Sequence, residues 1–457
     1  MLLRFRVANV RSFREEQELS FVVQPGDKAS TGRVVSVAGR ELALYPVVGI
    51  FGANASGKSN LLAALVMMRD AVLNSYAQWA SFRGIPREEF NLDPKAAEDS
   101  SFFEVDFVHD GFRYTYGFEL GAGRVEAEWL HAYPKGRRQV WFDRDASRDT
   151  EFEFPGERVR DRAQFVRLTR PNALFLTVAG TDNSPELSPV FYWFQNNLGL
   201  VTPENERHQR ESLTRHALRG PRRERIEELL RVADLGVAGV ELVDNGEVVR
   251  LWHDGAAGDR YPVAWERESF GTRSRFALLG PVLLALDEGA VLLVDELDAS
   301  LHPRFAAEVI RLFQDPEVNA AGAQLIFTTH DVTVLGTPGG DRLLDPGQVW
   351  VYTEGELTEP QYIDLVKEMQ PVRRNDVHIA NDTRQAGGTR GSGGRAVDRK
   401  PADLVDAAID QIEGRFADAR KRAKQMNAQH DDHLPYTQRD PYTNVWEFVE
   451  DLGVLAY

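Results

Sequence analysis

The chain has 457 residues, 42% of them apolar and 27% charged, which supports packed cores and excludes wholesale disorder. Lys and Arg number 54 against 70 Asp and Glu, a net charge of −16; this argues against a surface built all round for nucleic acid but leaves room for a local basic groove. There is no cysteine, so disulfides, thiolate catalysis and cysteine-held zinc or iron–sulfur sites are excluded.

In chain order, residues 2–24 alternate apolar and polar and predict strands. The opening stretch turns charged too early for a secretory signal, and no apolar run reaches the ~18 residues that span a bilayer. The expectation is a cytoplasmic protein with no membrane partner. Tyr45–Phe51 predicts a buried strand and Asn60–Val72 an apolar-periodic helix. Residues 101–130 predict strands joined at Asp110-Gly111 and Gly121-Ala122-Gly123. Further strands are expected at 139–143 and 163–178, and mainly helix over 186–235. Strands return at 237–252 and 261–266. From 268 to 353 helix and strand alternate, with helices at 273–286 and 303–314 and strands at 290–295, 323–328 and 348–352. This is the rhythm of a largely parallel sheet. Residues 375–400 have almost no large apolar side chain and read as a flexible linker. Residues 401–426 are amphipathic, and 436–457 are rich in aromatics.

Between the strand at 45–51 and the helix from 60 lies Gly52-Ala53-Asn54-Ala55-Ser56-Gly57-Lys58-Ser59, the G-x-x-x-x-G-K-S phosphate-loop pattern in its required strand–loop–helix setting. Glycines let backbone N–H groups curl around phosphate oxygens, and the helix N-terminus adds partial positive charge. Lys58 would reach the β- and γ-phosphates of ATP, and the Ser59 hydroxyl would ligate Mg²⁺. Val291–Val294 is an apolar run ending in Asp295-Glu296. A parallel strand delivers both carboxylates to the sheet edge where ligands bind, Asp295 to the Mg²⁺ and Glu296 to the attacking water. A further apolar strand ends at His330, which could hydrogen-bond a γ-phosphate. Ser269, the Gly271 backbone and Thr272 open a long apolar helix and could form an anion site, or simply an N-cap.

The order of these motifs resembles one family: the N-x-R-S-F strand (Asn9, Arg11, Ser12, Phe13), GANASGKSN ending in Asn60, ESFGTRSR, LLVDELDASLHP and TTHD. It is similar to the ABC-type ATPase heads of the SMC, RecF and OLD class. More narrowly it resembles the AAA-type ATP-binding proteins of bacterial abortive-infection and restriction-linked systems (RloA-like), with cousins in Septu and PARIS. Residues 114–130 and 170–177 are also similar to that narrower group. The resemblance covers about residues 1–373. It implies a fold of α/β class, a P-loop NTPase of ABC/SMC-head type with a mixed sheet flanked by helices, a β-rich then helical insertion, and a C-terminal helical extension. By resemblance, Asp298 matches the D-loop, His330 the switch histidine, and Ser269, Gly271 and Thr272 the signature that contacts a partner subunit's nucleotide. Arg11 and Ser12 match residues that approach the nucleotide. A homodimer or higher homo-oligomer is implied, with a separate effector protein, a nuclease or toxin. The S-F-G-T signature departs from the L-S-G-G-Q of transporters and weakens a transporter reading.

The expected layout is an N-terminal part of the head at 1–70 and a β-rich lobe at 71–185, followed by a helical insertion at 186–236. The C-terminal part of the head at 237–373, a linker at 374–400 and a helical, aromatic tail at 401–457 complete it. Val351–Glu356 superficially resembles the start of the nuclease fused to OLD proteins, yet no later D-x-D strand supplies further metal ligands. His430-Asp431-Asp432-His433 could hold a metal but sits in a polar stretch. The arginines of 204–231 are interleaved with glutamates, which fits a solvated face or, alternatively, a DNA phosphate track. The tail fits either a helix folded back on the head or a partner-docking segment. Overall the expectation is a Mg²⁺-dependent ATPase acting as sensor or regulator in anti-phage defence. A RecF-like DNA-repair ATPase and an ATP-bound scaffold are the rivals.

Overall fold

The structure is a computed structural model describing residues 1–23, 32–37, 40–52, 56–82, 84–202, 207–233, 236–244, 248–255, 258–298, 303–331, 344, 349–352 and 378–380. The N-terminal strands are β1 (Leu2–Ala8) and β2 (Gln17–Ser20), then a hairpin of β3 (Arg33–Val37) and β4 (Arg40–Leu44). β5 (Val47–Gly52) leads into α1 (Lys58–Asn74). Next come β6 (Ser101–His109), β7 (Phe112–Leu120), β8 (Val125–Ala132), β9 (Gln139–Asp145) and β10 (Phe152–Glu153). Helices α2 (Arg162–Leu168), α3 (Phe175–Thr181) and α4 (Ser188–Asn196), strand β11 (Leu198–Val201), and helices α5 (Arg207–Leu218) and α6 (Arg223–Ala233) follow. A small antiparallel sheet of β12 (Val237–Val243), β13 (Val248–Asp254) and β14 (Arg260–Ala264) precedes α7 (Phe270–Glu288). The chain then runs through β15 (Val291–Val294), α8 (Pro303–Gln314), β16 (Gln324–Thr329), β17 (Val349–Tyr352) and β18 (His378–Ala380).

Two large sheets organise these elements. One is antiparallel, in the order β10-β9-β8-β7-β6-β1-β2, so strands from residues 101–153 complete a sheet begun at the N-terminus. The other is parallel, in the order β11-β15-β16-β5-β17-β18. The parallel strands are continuous apolar runs because both faces are covered. Val48, Ile50, Val291, Leu293 and Ile326 face one core, with α1, α4 and the antiparallel sheet. The alternate residues Val47, Phe51, Leu292, Val294, Leu325 and Phe327 face a second core, with α6, α7, α8 and β12–β13. Gln324 ties the two sheets: its side chain accepts from Leu2 N at 2.6 Å and donates to Leu2 O at 2.8 Å, acting as one more strand partner for β1.

Three segments differ from expectation. Residues 163–178, expected as strand, form α2 and α3 instead. The N-terminal amides of α3 are capped from afar, by the buried Glu128 carboxylate of β8 accepting from Phe175 N and Leu176 N. Tertiary capping of that kind overrides the β-branched propensity of Thr177 and Val178. The helical stretch 186–235 also contains β11, a four-residue strand paired parallel to β15. Within 374–400, residues 378–380 pair with β17 as an edge strand. The rest of that segment and the 401–457 tail lie outside the described residues.

Helix α7 carries Pro281, which has no N–H for the carbonyl of Ala277. One residue earlier, Thr214 of α5 inserts its hydroxyl into the ladder, accepting from Gly280 N at 2.8 Å and donating to Phe276 O at 2.7 Å. Gly280 is required there, because a Cβ would fall 2.5 Å from Thr214 N. Thr214→Val keeps the shape but orphans a buried amide and carbonyl. It should cost about 1–3 kcal/mol in denaturant unfolding; an unchanged midpoint would refute this account of the wedge.

Candidate functional site

The register of the parallel sheet assembles the site. Thr329 lies opposite Phe51, Val294 opposite Phe327 and Tyr352 opposite Gly52, so the C-terminal ends of β5, β15, β16 and β17 share one edge. Ligands of α/β sheets bind at such an edge. Gly52 ends β5, and Gly57 takes φ 91, a left-handed value that opens α1 without strain. A Cβ on Gly57 would meet Ser12 Oγ at 2.9 Å. Helix α1 starts with no side-chain cap and no acidic residue in its first turn, leaving its positive end for an anion. Ser56 Oγ is buried and has no hydrogen-bond partner among the described residues. Lys58 is 8% exposed and its ammonium donates to Gly52 O at 2.8 Å, folded back across its own loop. Ala53, Asn54 and Ala55 lie outside the described residues.

The acidic strand meets this loop directly. Ser59 Oγ donates to Asp295 Oδ1 at 2.8 Å, across 236 positions of sequence. Thr328 organises both carboxylate residues: its hydroxyl donates to Asp295 Oδ1 at 2.6 Å and accepts from Glu296 N at 2.8 Å. Glu296 has φ 50, a left-handed value that costs a non-glycine residue about 1 kcal/mol or more and is held here by that amide bond. Its side chain is exposed, as are Ser59 and His330. His330 Nδ1 lies 3.1 Å from Asp298 Oδ2, while Asp298 Oδ1 is buried without a hydrogen-bond partner among the described residues.

On the other flank, the turn between β1 and β2 presses on α1. Val10 and Phe13 exchange backbone hydrogen bonds of 2.9 Å. Asn60 Nδ2 donates to Ser12 Oγ at 2.9 Å, and Arg11 Nη1 lies 3.4 Å from Asn60 Oδ1. Glu88 fixes Arg11 through an Nε–Oε2 bond of 2.6 Å. Ser269, Gly271 and Thr272 stand elsewhere, at the start of α7. Ser269 Oγ accepts from Thr272 N at 3.0 Å and lies 2.8 Å from Thr272 Oγ1, a true N-cap.

Two partners escaped the sequence reading. Thr328 carried a signal, a hydroxyl at the end of an apolar strand beside a carboxylate strand. Glu88 carried none, since it sits in a polar loop. Several arginines of the 204–231 stretch are paired with acids: Arg223 with Glu227, Arg225 with Glu228 and Arg231 with Glu227. That favours the solvated-face alternative over a phosphate track. A separate cleft of roughly 580 Å³ is lined by Arg144, Glu151, Phe152, Phe154 and Arg162 and holds none of the expected site residues. Residues 354–356 and 430–433 lie outside the described residues.

Residues 47–336 match the family described as "AAA domain, putative AbiEii toxin, Type IV TA system". The chain belongs to this family. The matched span contains the G-x-x-x-x-G-K-S loop, the Ser269–Thr272 helix start, the acidic strand and His330. Together with the parallel sheet edge, it bears out the expected fold class, a P-loop NTPase of ABC/SMC-head type. Among solved structures, the chain is similar to an Smc head bound to the C-winged helix domain of ScpA, at 16% identity and TM-score 0.34, covering 73% of this chain and 90% of that one. An Smc head from Pyrococcus furiosus with an extended coiled coil, bound to the C-terminal domain of ScpA, gives 15%, 0.32, 73% and 90%. The cbiO1 subunit of a Clostridium perfringens ABC transporter complex gives 15%, 0.26, 81% and 97%. No curated protein matches the sequence. No described helix is long and apolar enough to cross a membrane.

Proposed function

We propose that this chain hydrolyses ATP in a head-to-tail homodimer and serves as the sensing or regulatory subunit of an abortive-infection-like anti-phage system that controls a separate effector. The observation that carries the enzymatic half is the contact between Ser59 and Asp295, which joins the phosphate loop to the acidic strand. The oxygens of both suit Mg²⁺, a hard cation that would neutralise phosphate charge between them. Lys58 would leave Gly52 O for the β- and γ-phosphates, and the α1 N-terminus with Ser56 would cradle their oxygens. Glu296, exposed at the strand end, would take a proton from the attacking water, and His330 would hydrogen-bond the γ-phosphate once Asp298 releases it. The Ser269, Gly271 and Thr272 cap of one copy would close on the nucleotide of the other. Binding the γ-phosphate better in the closed state makes hydrolysis an opening signal. The defence role rests on the family and on the narrower resemblance.

Lys58→Ala should abolish both ATP turnover and ATP-dependent dimerisation, read by phosphate release and sedimentation. A variant that still consumed ATP at the parental rate would overturn the enzymatic reading. Co-purification from its host, with and without residues 375–457, tests the effector.

A further inference from the structure

Strand β16 is buried along its whole length, and Thr328 within it has no exposed surface. A hydroxyl shut away from water is costly unless its proton and a lone pair are both used. Here both are used, and both on the residues that follow β15. The proton goes to Asp295 Oδ1, and the lone pair takes the amide of Glu296. The main chain of Thr328 adds a third bond, its carbonyl accepting from Leu297 N at 2.9 Å.

These bonds shape the turn that carries Glu296. β15 pairs with β16 as far as Val294 opposite Phe327, one step before Thr328. In a continuing strand successive amides point to opposite sides. Here the successive amides of Glu296 and Leu297 both return to Thr328, one to its side chain and one to its carbonyl. Glu296 takes its left-handed φ of 50 between them. Leu297, wholly buried in the second core, pins the far side of the turn. Asp295 is held by other means as well: its amide donates to Val201 O at 2.9 Å, and its Oδ1 also accepts from Ser59 Oγ at 2.8 Å. The hydroxyl of Thr328 is therefore worth more to Glu296 than to Asp295.

We propose that Thr328 is a positioning residue for hydrolysis: its hydroxyl fixes the Glu296 backbone so that the carboxylate meets the attacking water, and it takes no part in holding ATP. This role rests on Glu296 being the general base, as proposed above. A left-handed backbone at a residue other than glycine persists only while its surroundings enforce it. Without the hydroxyl, the carboxylate moves off the line of attack while the phosphate loop and Asp295 stay in place.

Valine matches threonine in shape and lacks the hydroxyl. Thr328→Val in the full-length chain should lower kcat by about ten- to a hundredfold, the scale set by misplacing a catalytic group by about 1 Å. The KM for ATP should stay within about twofold, and ATP-driven pairing should be retained. Thr328→Ser keeps the hydroxyl and should restore most of the rate, which covers the case in which the buried valine weakens the fold. The deciding measurement is the double variant. If Thr328 acts through Glu296, adding Thr328→Val to Glu296→Gln should leave the residual turnover within about twofold, because the base is already lost. Losses that multiply in the double variant would assign Thr328 a general structural role and overturn the proposal. So would a Thr328→Val rate recovered by excess Mg²⁺, which would place the effect on Asp295. A parental rate in Thr328→Val beside an inactive Glu296→Gln overturns the role of Thr328 alone, whereas a parental rate in Glu296→Gln overturns the general-base reading beneath it.

Discussion

Glu296→Gln should lower ATP turnover by at least about a hundredfold, the lower bound for losing a positioned general base, while leaving ATP-driven pairing of two copies intact or longer-lived. The substitution keeps size and shape, and the side chain is exposed, so folding has no stake in it. What fixes the residue is its backbone: the amide bonded to Thr328 Oγ1 and the left-handed φ of 50 are both preserved by glutamine. Asp295 keeps its bonds to Ser59 and Thr328, so the groups offered to the metal and phosphates are unchanged. Only the capacity to accept a proton is lost. Phosphate release and analytical ultracentrifugation of the same preparation separate the two effects. If turnover were unaltered, Glu296 would not be the base. If the parent itself barely turned over and the variant paired identically, the chain would be an ATP-held scaffold.

The part of the site that could be read in advance is the part built from contiguous sequence. The phosphate loop sits between an apolar strand and an apolar-periodic helix, and Asp295-Glu296 ends an apolar run, so each motif announces its own local geometry. Their meeting follows from parallel register, because strands that end together present their next residues together. What could not be read depends on partners far away in sequence. Thr328 matters because Asp295 happens to lie across from it, and Glu88 because a loop returns to Arg11. The misreading at 163–178 has the same origin. Residues such as Phe165, Val166, Leu176 and Val178 are compatible with a buried strand or a short buried helix, and periodicity alone does not separate the two. Glu128, 47 residues before Phe175, is what turns the balance. Likewise β11 is too short to carry a pattern and exists only because β15 offers it an open edge.

That same glutamate carries the largest expected stability effect. Glu128 is wholly buried, and its two oxygens accept from Phe175 N at 2.6 Å, Leu176 N at 2.9 Å and the Tyr116 hydroxyl at 3.0 Å. Arg144, itself buried, stands 3.8 Å away. Glu128→Ala removes the acceptor for three donors at once and opens a void. Arg144 would keep Glu151 and the carbonyl of Ala173 but lose its buried counter-charge. The expected loss is about 3–5 kcal/mol in denaturant unfolding. Burial raises the Glu128 pKa against the pull of Arg144 and the two amides, so the neutral form is less disfavoured than for an ordinary carboxylate. Glu128→Gln keeps the volume, but its NH2 replaces one of the two acceptor oxygens and faces a donor, so it should recover the packing part of the loss and not the hydrogen-bond network. The damage should also reach the phosphate-loop helix. Leu174 N donates to Ser75 Oγ, and Thr177 Oγ1 donates to Val72 O, so α3 clasps the far end of α1. Hydrogen exchange in Glu128→Ala should accelerate first over 172–182 and next over the last turn of α1, with the parallel strands still protected. Uniform acceleration across the head, or none, would mean that Glu128 does not hold α3 in place.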